Sequence, residues 1–96
     1  MSTPSIRYIY HNCVRVDTKE GTYMFSYDSP IFQIEGNRIV RIFENYDYSR
    51  TTSKHVNYFI DSFYSLYLGE HDLTRYDNRK RKQLLDEFYR KQEFDK

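Results

Sequence analysis

A single change of hydrophobic period divides this chain, and it falls at Tyr46-Asp47-Tyr48-Ser49-Arg50-Thr51-Thr52-Ser53-Lys54-His55. Before that stretch, short β-prone runs alternate with turn residues. After it, apolar residues recur every three and four positions. Strands first and helices after is the order that segregates helices to one side of an antiparallel sheet, an α+β arrangement. The predicted sheet has four or five antiparallel strands within residues 6–44. A helix over 53–68 packs on it, and a second helix runs over 77–94. At 96 residues the chain makes one domain, 1–96, with room for one modest core.

Residues 1–5 are small and polar and read as a frayed end. Ile6-Arg7-Tyr8-Ile9-Tyr10 and Cys13-Val14-Arg15-Val16 read as short strands, with Lys19-Glu20-Gly21 as a turn. Alternation from Thr22 to Tyr27 puts Tyr23, Phe25 and Tyr27 on one face. Asp28-Ser29-Pro30 ends that run, because proline cannot donate to a ladder. Residues 31–35 and 38–43 flank Gly36-Asn37, a pair suited to the positive φ angles of a two-residue hairpin. That register sets Glu35 opposite Arg38, Ile34 opposite Ile39 and Phe32 opposite Arg41. Ile31, Val40 and Ile42 then fall on the reverse face, so the hairpin reads as central or covered on both sides. Downstream, Val56, Phe59, Ile60, Phe63 and Tyr67 form a core-facing helical stripe that stops at Gly69. Residues 70–74 connect to a thinner stripe of Leu84, Leu85 and Phe88, with Phe94 extending it.

One capping hydroxyl satisfies a helix start, and Thr52 or Ser53 supplies it. Ser49, Arg50, Thr51, Thr52, Ser53, Lys54 and His55 offer more polar groups than a cap uses. Beside the free N–H groups and positive dipole end of a helix, they make an anion- or partner-binding corner. The competing reading is a corner that only fixes the strand-to-helix transition. A second candidate is the basic run Arg79, Lys80, Arg81 and Lys82, with Arg75 just upstream. Read as exposed, it suits phosphate backbones or an acidic protein surface. Consecutive helical residues point around the whole circumference, so a solvated face is the alternative.

Fifteen basic against fourteen acidic residues leave a formal charge of +1, and no global field marks a nucleic-acid binder. Eleven tyrosines and seven phenylalanines suit half-buried sheet faces and contact surfaces alike. A single cysteine excludes an intrachain disulfide and fits a reducing cytosol. No apolar run approaches membrane-spanning length and the first residues lack a signal-peptide layout, so a cytoplasmic protein without a membrane partner is expected. His11 and Cys13, two apart on one strand face, do not make a metal site. No spacing brings Cys13 to His55 as nucleophile and base, and Asp86 and Glu87 point to different helix faces. No catalytic residue, metal or cofactor is expected.

Tyr48-Ser49-Arg50-Thr51-Thr52-Ser53-Lys54-His55 resembles the Y-S-x-T-T-S-K-H signature of short, largely uncharacterised proteins of phages and mobile elements of low-GC Gram-positive bacteria. Upstream, Ser26-Tyr27-Asp28-Ser29-Pro30-Ile31 is similar to the S-Y-x-T-x-(I/V) segment that often precedes it. The likeness runs from about Thr22 to Phe59. It departs at Ser29, where those proteins usually have Thr, and at the proline that follows. The resemblance implies a mobile-element origin. The expectation is then a small non-enzymatic phage-type binding protein in the host cytoplasm, inhibiting a host protein such as a CRISPR–Cas or similar defence factor. The alternative is a nucleic-acid or nucleotide/phosphate-binding accessory protein that uses the 49–55 corner and the basic helix start.

Overall fold

A computed structural model describes residues 5–47 and 50–94, apart from the side chains of Asn45, Asp47, Glu93 and Phe94. Its first half is a meander. β1 (Ser5–Tyr10), β2 (Cys13–Thr18), β3 (Gly21–Ser26), β4 (Ser29–Glu35) and β5 (Arg38–Ile42) are neighbours in sequence and space, each antiparallel to the next. Ser5, expected to fray, pairs with Asp17, while residues 1–4 lie outside the described part. The sheet has seven strands rather than four or five, because β6 (Tyr67–Leu68) and β7 (His71–Asp72) extend its far edge. β6 runs parallel to β5 through Arg38 and Tyr67, and the Tyr67 N–H donates to the Asn37 carbonyl at 2.7 Å. Gly69, at φ +62°, makes the tight turn between β6 and β7.

Two bulges explain which side chains are buried. Between β3 and β4 the register passes from Met24↔Phe32 to Phe25↔Pro30, leaving Ile31 unpaired. Between β4 and β5 it passes from Ile34↔Ile39 to Gln33↔Arg41, leaving Val40 unpaired. A bulge sets two residues against one and resets the alternation of faces. Ile31 and its neighbour Phe32 therefore both reach the core, as do Ile39 and Ile42. Glu35↔Arg38 and Ile34↔Ile39 pair as expected, but Phe32 meets Ile42 instead of Arg41. Val40 is exposed, so the hairpin is not covered on both sides. Of the Gly36-Asn37 pair only Gly36 takes the positive φ, +65°, as in a type II′ turn. Pro30 does not end a strand. It sits inside β4 beside the bulge, where a missing N–H is tolerated.

Helix α1 spans Arg50–Asp61 rather than 53–68. Ser62 stops it: its N–H and hydroxyl both donate to the Phe59 carbonyl, at 3.1 and 2.6 Å. A continuing helix would give that carbonyl to the Phe63 N–H, which bonds Ile60 at 3.1 Å instead. Val56, Phe59 and Ile60 are buried, whereas Phe63 and Tyr67 leave the helical stripe. Phe63 is half-buried at the core margin, with the Arg15 guanidinium 4.8 Å from its ring centroid. The Phe59 ring lies 6.2 Å from Phe32 and 5.1 Å from Phe63. α2 spans Asn78–Phe94, and the Asp77 carboxylate before it accepts from the Lys80 N–H at 2.9 Å. Leu84 and Leu85 join the same core, while the expected extension by the Phe94 side chain lies outside the described residues. The Gln92 amide pairs with the Ile42 N–H and carbonyl at 2.8 and 2.6 Å, much as a strand neighbour would. Among the described residues no helix is long and apolar enough to cross a membrane.

Candidate functional site

Because α1 begins at Arg50, the polar run winds around a helix at about 100° per residue instead of forming one corner. Thr52 and His55 turn inward and are buried. Arg50 and Thr51 are exposed, half-buried Ser53 and exposed Lys54 line a groove, and Ser49 and Tyr48 lie outside the described residues. Thr52 and Ser53 are in the first helical turn and are not its cap.

His55 is the anchor of the inward side. Its Nδ1 is hydrogen-bonded to the Ser26 hydroxyl at 2.8 Å, and the Tyr10 and Tyr27 rings flank it at 6.1 and 5.6 Å. The fold does bring Cys13 to His55, which the sequence spacing did not suggest. The contact is with the backbone, however: the thiol donates to the His55 carbonyl at 3.6 Å. Burial pushes the Cys13 thiol up to about 11, the reverse of what activates a nucleophile. His11, expected on the same face as Cys13, is exposed in the β1–β2 turn. No group of three or more potential metal ligands is found among the described residues.

Burial holds the His55 imidazole below its ordinary pKa. A backbone hydrogen bond with His11 opposes that shift, and the charges of His11 and Lys54 reinforce it. The unfolded chain therefore takes up a proton near the ordinary value, about 6.5, while the folded chain does so only at lower pH. Stability is complete above that value and falls as pH drops below it. The denaturation midpoint of the parent is expected to decline from about pH 7 to about pH 5, and to decline less in His55→Gln. Equal slopes in the two proteins would remove His55 as the cause.

The outward side opens onto a groove of about 410 Å³ between the first halves of α1 and α2, within the usual range for ligand sites. Val56 and Leu85 give it apolar walls, and Tyr46, Ser53, Asn57 and Asn78 add polar groups. Lys54, Arg79, Arg81 and Lys82 are its cationic residues, Arg81 being already paired with Asp61, and no carboxylate lines it among the described residues. Thus the fold gathers part of each predicted run into one positive surface, on a chain of formal charge +1. Lys54 also lies 5.7 and 5.8 Å from the rings of Tyr10 and Tyr58, which stack at 4.5 Å.

The basic run is not uniformly exposed. Arg81, only 4 % exposed, donates to the Leu73 carbonyl at 2.8 Å, to Asn57 Oδ1 at 3.1 Å and to Asp61 Oδ1 at 2.6 Å. It ties α2 to α1 and to the 3₁₀ turn at Leu73–Arg75. Its inward direction follows from helical spacing, since Leu84 and Leu85 stand three and four residues on. Lys80 is exposed and does not line the groove, and exposed Arg75 lies 3.4 Å from the Asp72 carboxylate. Tyr46, Asn57 and Asn78 went unrecognised in the sequence. Asn57, four residues after Ser53, carried a helical-face signal, whereas Tyr46 carried none. The Tyr46 hydroxyl donates to the Asp86 carboxylate, which sets its ring at the groove edge.

No curated protein and no solved structure matches this chain. A family model does match, over residues 2–83, which takes in the five-strand meander, α1 and every groove-lining residue except Leu85. The chain belongs to DUF8033, a family of unknown function.

Proposed function

We propose that this is a small non-enzymatic binding protein that acts by covering a surface of another protein. In the setting that the signature resemblance implies, the target is a host protein, such as a CRISPR–Cas or similar defence factor, in the host cytoplasm. The observation that carries the reading is the groove, with apolar walls, the exposed cations Lys54, Arg79 and Lys82, and no carboxylate among its described lining residues. Such a surface suits an acidic segment that presents an apolar side chain between carboxylates. Complementary charge steers the encounter and sets register, while the desolvated apolar contact holds it. Packing of α1 on the sheet would fix Ser53 and Lys54 in place at low entropic cost. The buried, raised Cys13 thiol and the buried Ser26–His55 pair support a non-catalytic role.

The test is capture from host lysate, with and without nuclease, by the parent and by Lys54→Glu/Lys82→Glu. Both positions are exposed, so the variant is expected to fold normally. Its capture of a nuclease-resistant protein should fall about tenfold or more, the scale of one lost charge-assisted contact. Equal capture by both proteins would refute the groove as the contact. The same exposed cations also suit phosphates, which supports the nucleic-acid or phosphate reading as second choice. That reading requires nuclease-sensitive capture and a steep loss of binding with added salt.

A further inference from the structure

Directly paired residues of an antiparallel ladder share a face, so the register sorts the paired side chains of β1, β2 and β3, all but Ile9 at the irregularity between Tyr8 and Tyr10. Arg7, Arg15 and Asp17 stand on the side of the core, in line with Met24 and Ser26 of β3. On the reverse side stand Ile6, Tyr8, Val14, Val16, Tyr23 and Phe25. A sheet with one covered face normally puts apolar residues inward and polar ones toward water. From Ile6 to Tyr8 of β1 and from Val14 to Asp17 of β2 that order is inverted, whereas Ile9 and Cys13 at the other end of the pair face the core. Ile6 and Tyr8 are 60 % and 78 % exposed. The other four are half-buried, yet belong neither to the core cluster nor to the half-buried residues packed against it.

We propose that this reverse face is a docking surface for a second copy of the chain, packed sheet to sheet about a two-fold axis. Charge favours that occupant. No charged side chain interrupts the six positions, and the first described ones on this face stand beyond them, Glu35 of β4 and Arg41 of β5. A patch without charge complements a surface like itself, and interfaces between identical chains are the more apolar kind. Shape favours it too. The cross-strand rows Tyr8–Val14–Phe25 and Ile6–Val16–Tyr23 put the smaller valines of β2 in a trough between larger side chains on either side. An offset of about one strand spacing, ~4.8 Å, seats Tyr8 of each copy in the valine trough of the other, a self-complementary contact. No groove-lining residue lies on this face, so the dimer leaves both grooves open.

The patch is about three strands wide and about six residues long, which places the contact at the small end of specific interfaces. Dimerisation is therefore expected in the micromolar range. Sedimentation equilibrium on the full chain, from about 5 to about 200 μM, should show the parent approaching twice 11.9 kDa. Tyr8→Lys sets like charges facing each other in the trough and should weaken the dimer about tenfold or more, with an unchanged near-ultraviolet spectrum of buried aromatics. Ile6→Thr keeps β-propensity and gives a second reading of the same face should the lysine disturb the strand. A parent that stays at single-chain mass at the highest concentration would overturn the proposal and leave the face to a different partner. A dimer indifferent to both substitutions would overturn it equally.

Discussion

Phe59→Ala should be the most destabilising truncation in this protein, costing about 3–5 kcal/mol. Phe59 is 0 % exposed and lies in the last turn of α1, where its ring packs near Phe32 of β4 and Phe63 beyond the helix end. Truncation removes the transfer free energy of the ring and leaves a cavity lined by groups from different elements, which cannot all move in to fill it. Domains of this size are typically stable by about 5–15 kcal/mol, so the loss takes a large share of the total. The melting temperature should fall by roughly 12 °C or more, at about 4 °C or more per kcal/mol for a chain of this length. Phe63→Ala should cost clearly less. Sequence spacing puts both rings on one core-facing stripe, but Phe63 stands outside the helix and is half-buried. Thermal or urea denaturation of the two variants checks this. A Phe59→Ala protein that melts within a couple of degrees of the parent would mean that α1 presents a different face to the core.

Arg81→Ala should be the next largest effect, about 2–4 kcal/mol, and it should separate sharply from Arg79→Ala. The Arg81 guanidinium satisfies three acceptors at once. Without it, the Asn57 side-chain oxygen loses its donor and the Leu73 carbonyl keeps only the Tyr76 N–H at 3.3 Å, at about 1–3 kcal/mol for a shielded group left unsatisfied. The Asp61 side chain is 61 % exposed and can return to water, so the ion pair itself adds little. Arg81→Lys should recover only part of the loss, because an ammonium cannot reproduce the planar fork that reaches three acceptors. Arg79 is exposed, and its truncation should stay within about 0.5 kcal/mol. Urea midpoints, read with an unchanged slope, make the comparison. Equal midpoints for the two alanine variants would contradict a buried Arg81. The joint variant Arg79→Glu/Arg81→Glu, which a uniformly exposed run would tolerate, is instead expected to unfold. Charge reversals meant to probe binding therefore belong at Lys54 and Lys82.

What the sequence by itself determined lies in interactions a few residues long. The order of strands before helices, the Gly36-Asn37 turn with Glu35 opposite Arg38, and the inward direction of Val56, Phe59 and Ile60 all rest on local geometry and a short repeat. Tertiary structure alone decided the rest. The bulges at Ile31 and Val40 trade two ladder pairings for the burial of Phe32 and Ile42 against each other, a gain that no window of sequence contains. The end of α1 turns on one serine hydroxyl competing for the Phe59 carbonyl, and on β6 finding the exposed end of β5. The candidate site follows the same division. The two runs of polar and basic residues were visible as runs, but a helix spreads consecutive side chains around its axis and splits each of them. Only the docking of α2 against α1, through Arg81, Asn57 and Asp61, decides which members face each other across a groove. Those bonds span twenty residues or more, and chain connectivity sets no preference among such distant pairings, so packing of the whole core must choose.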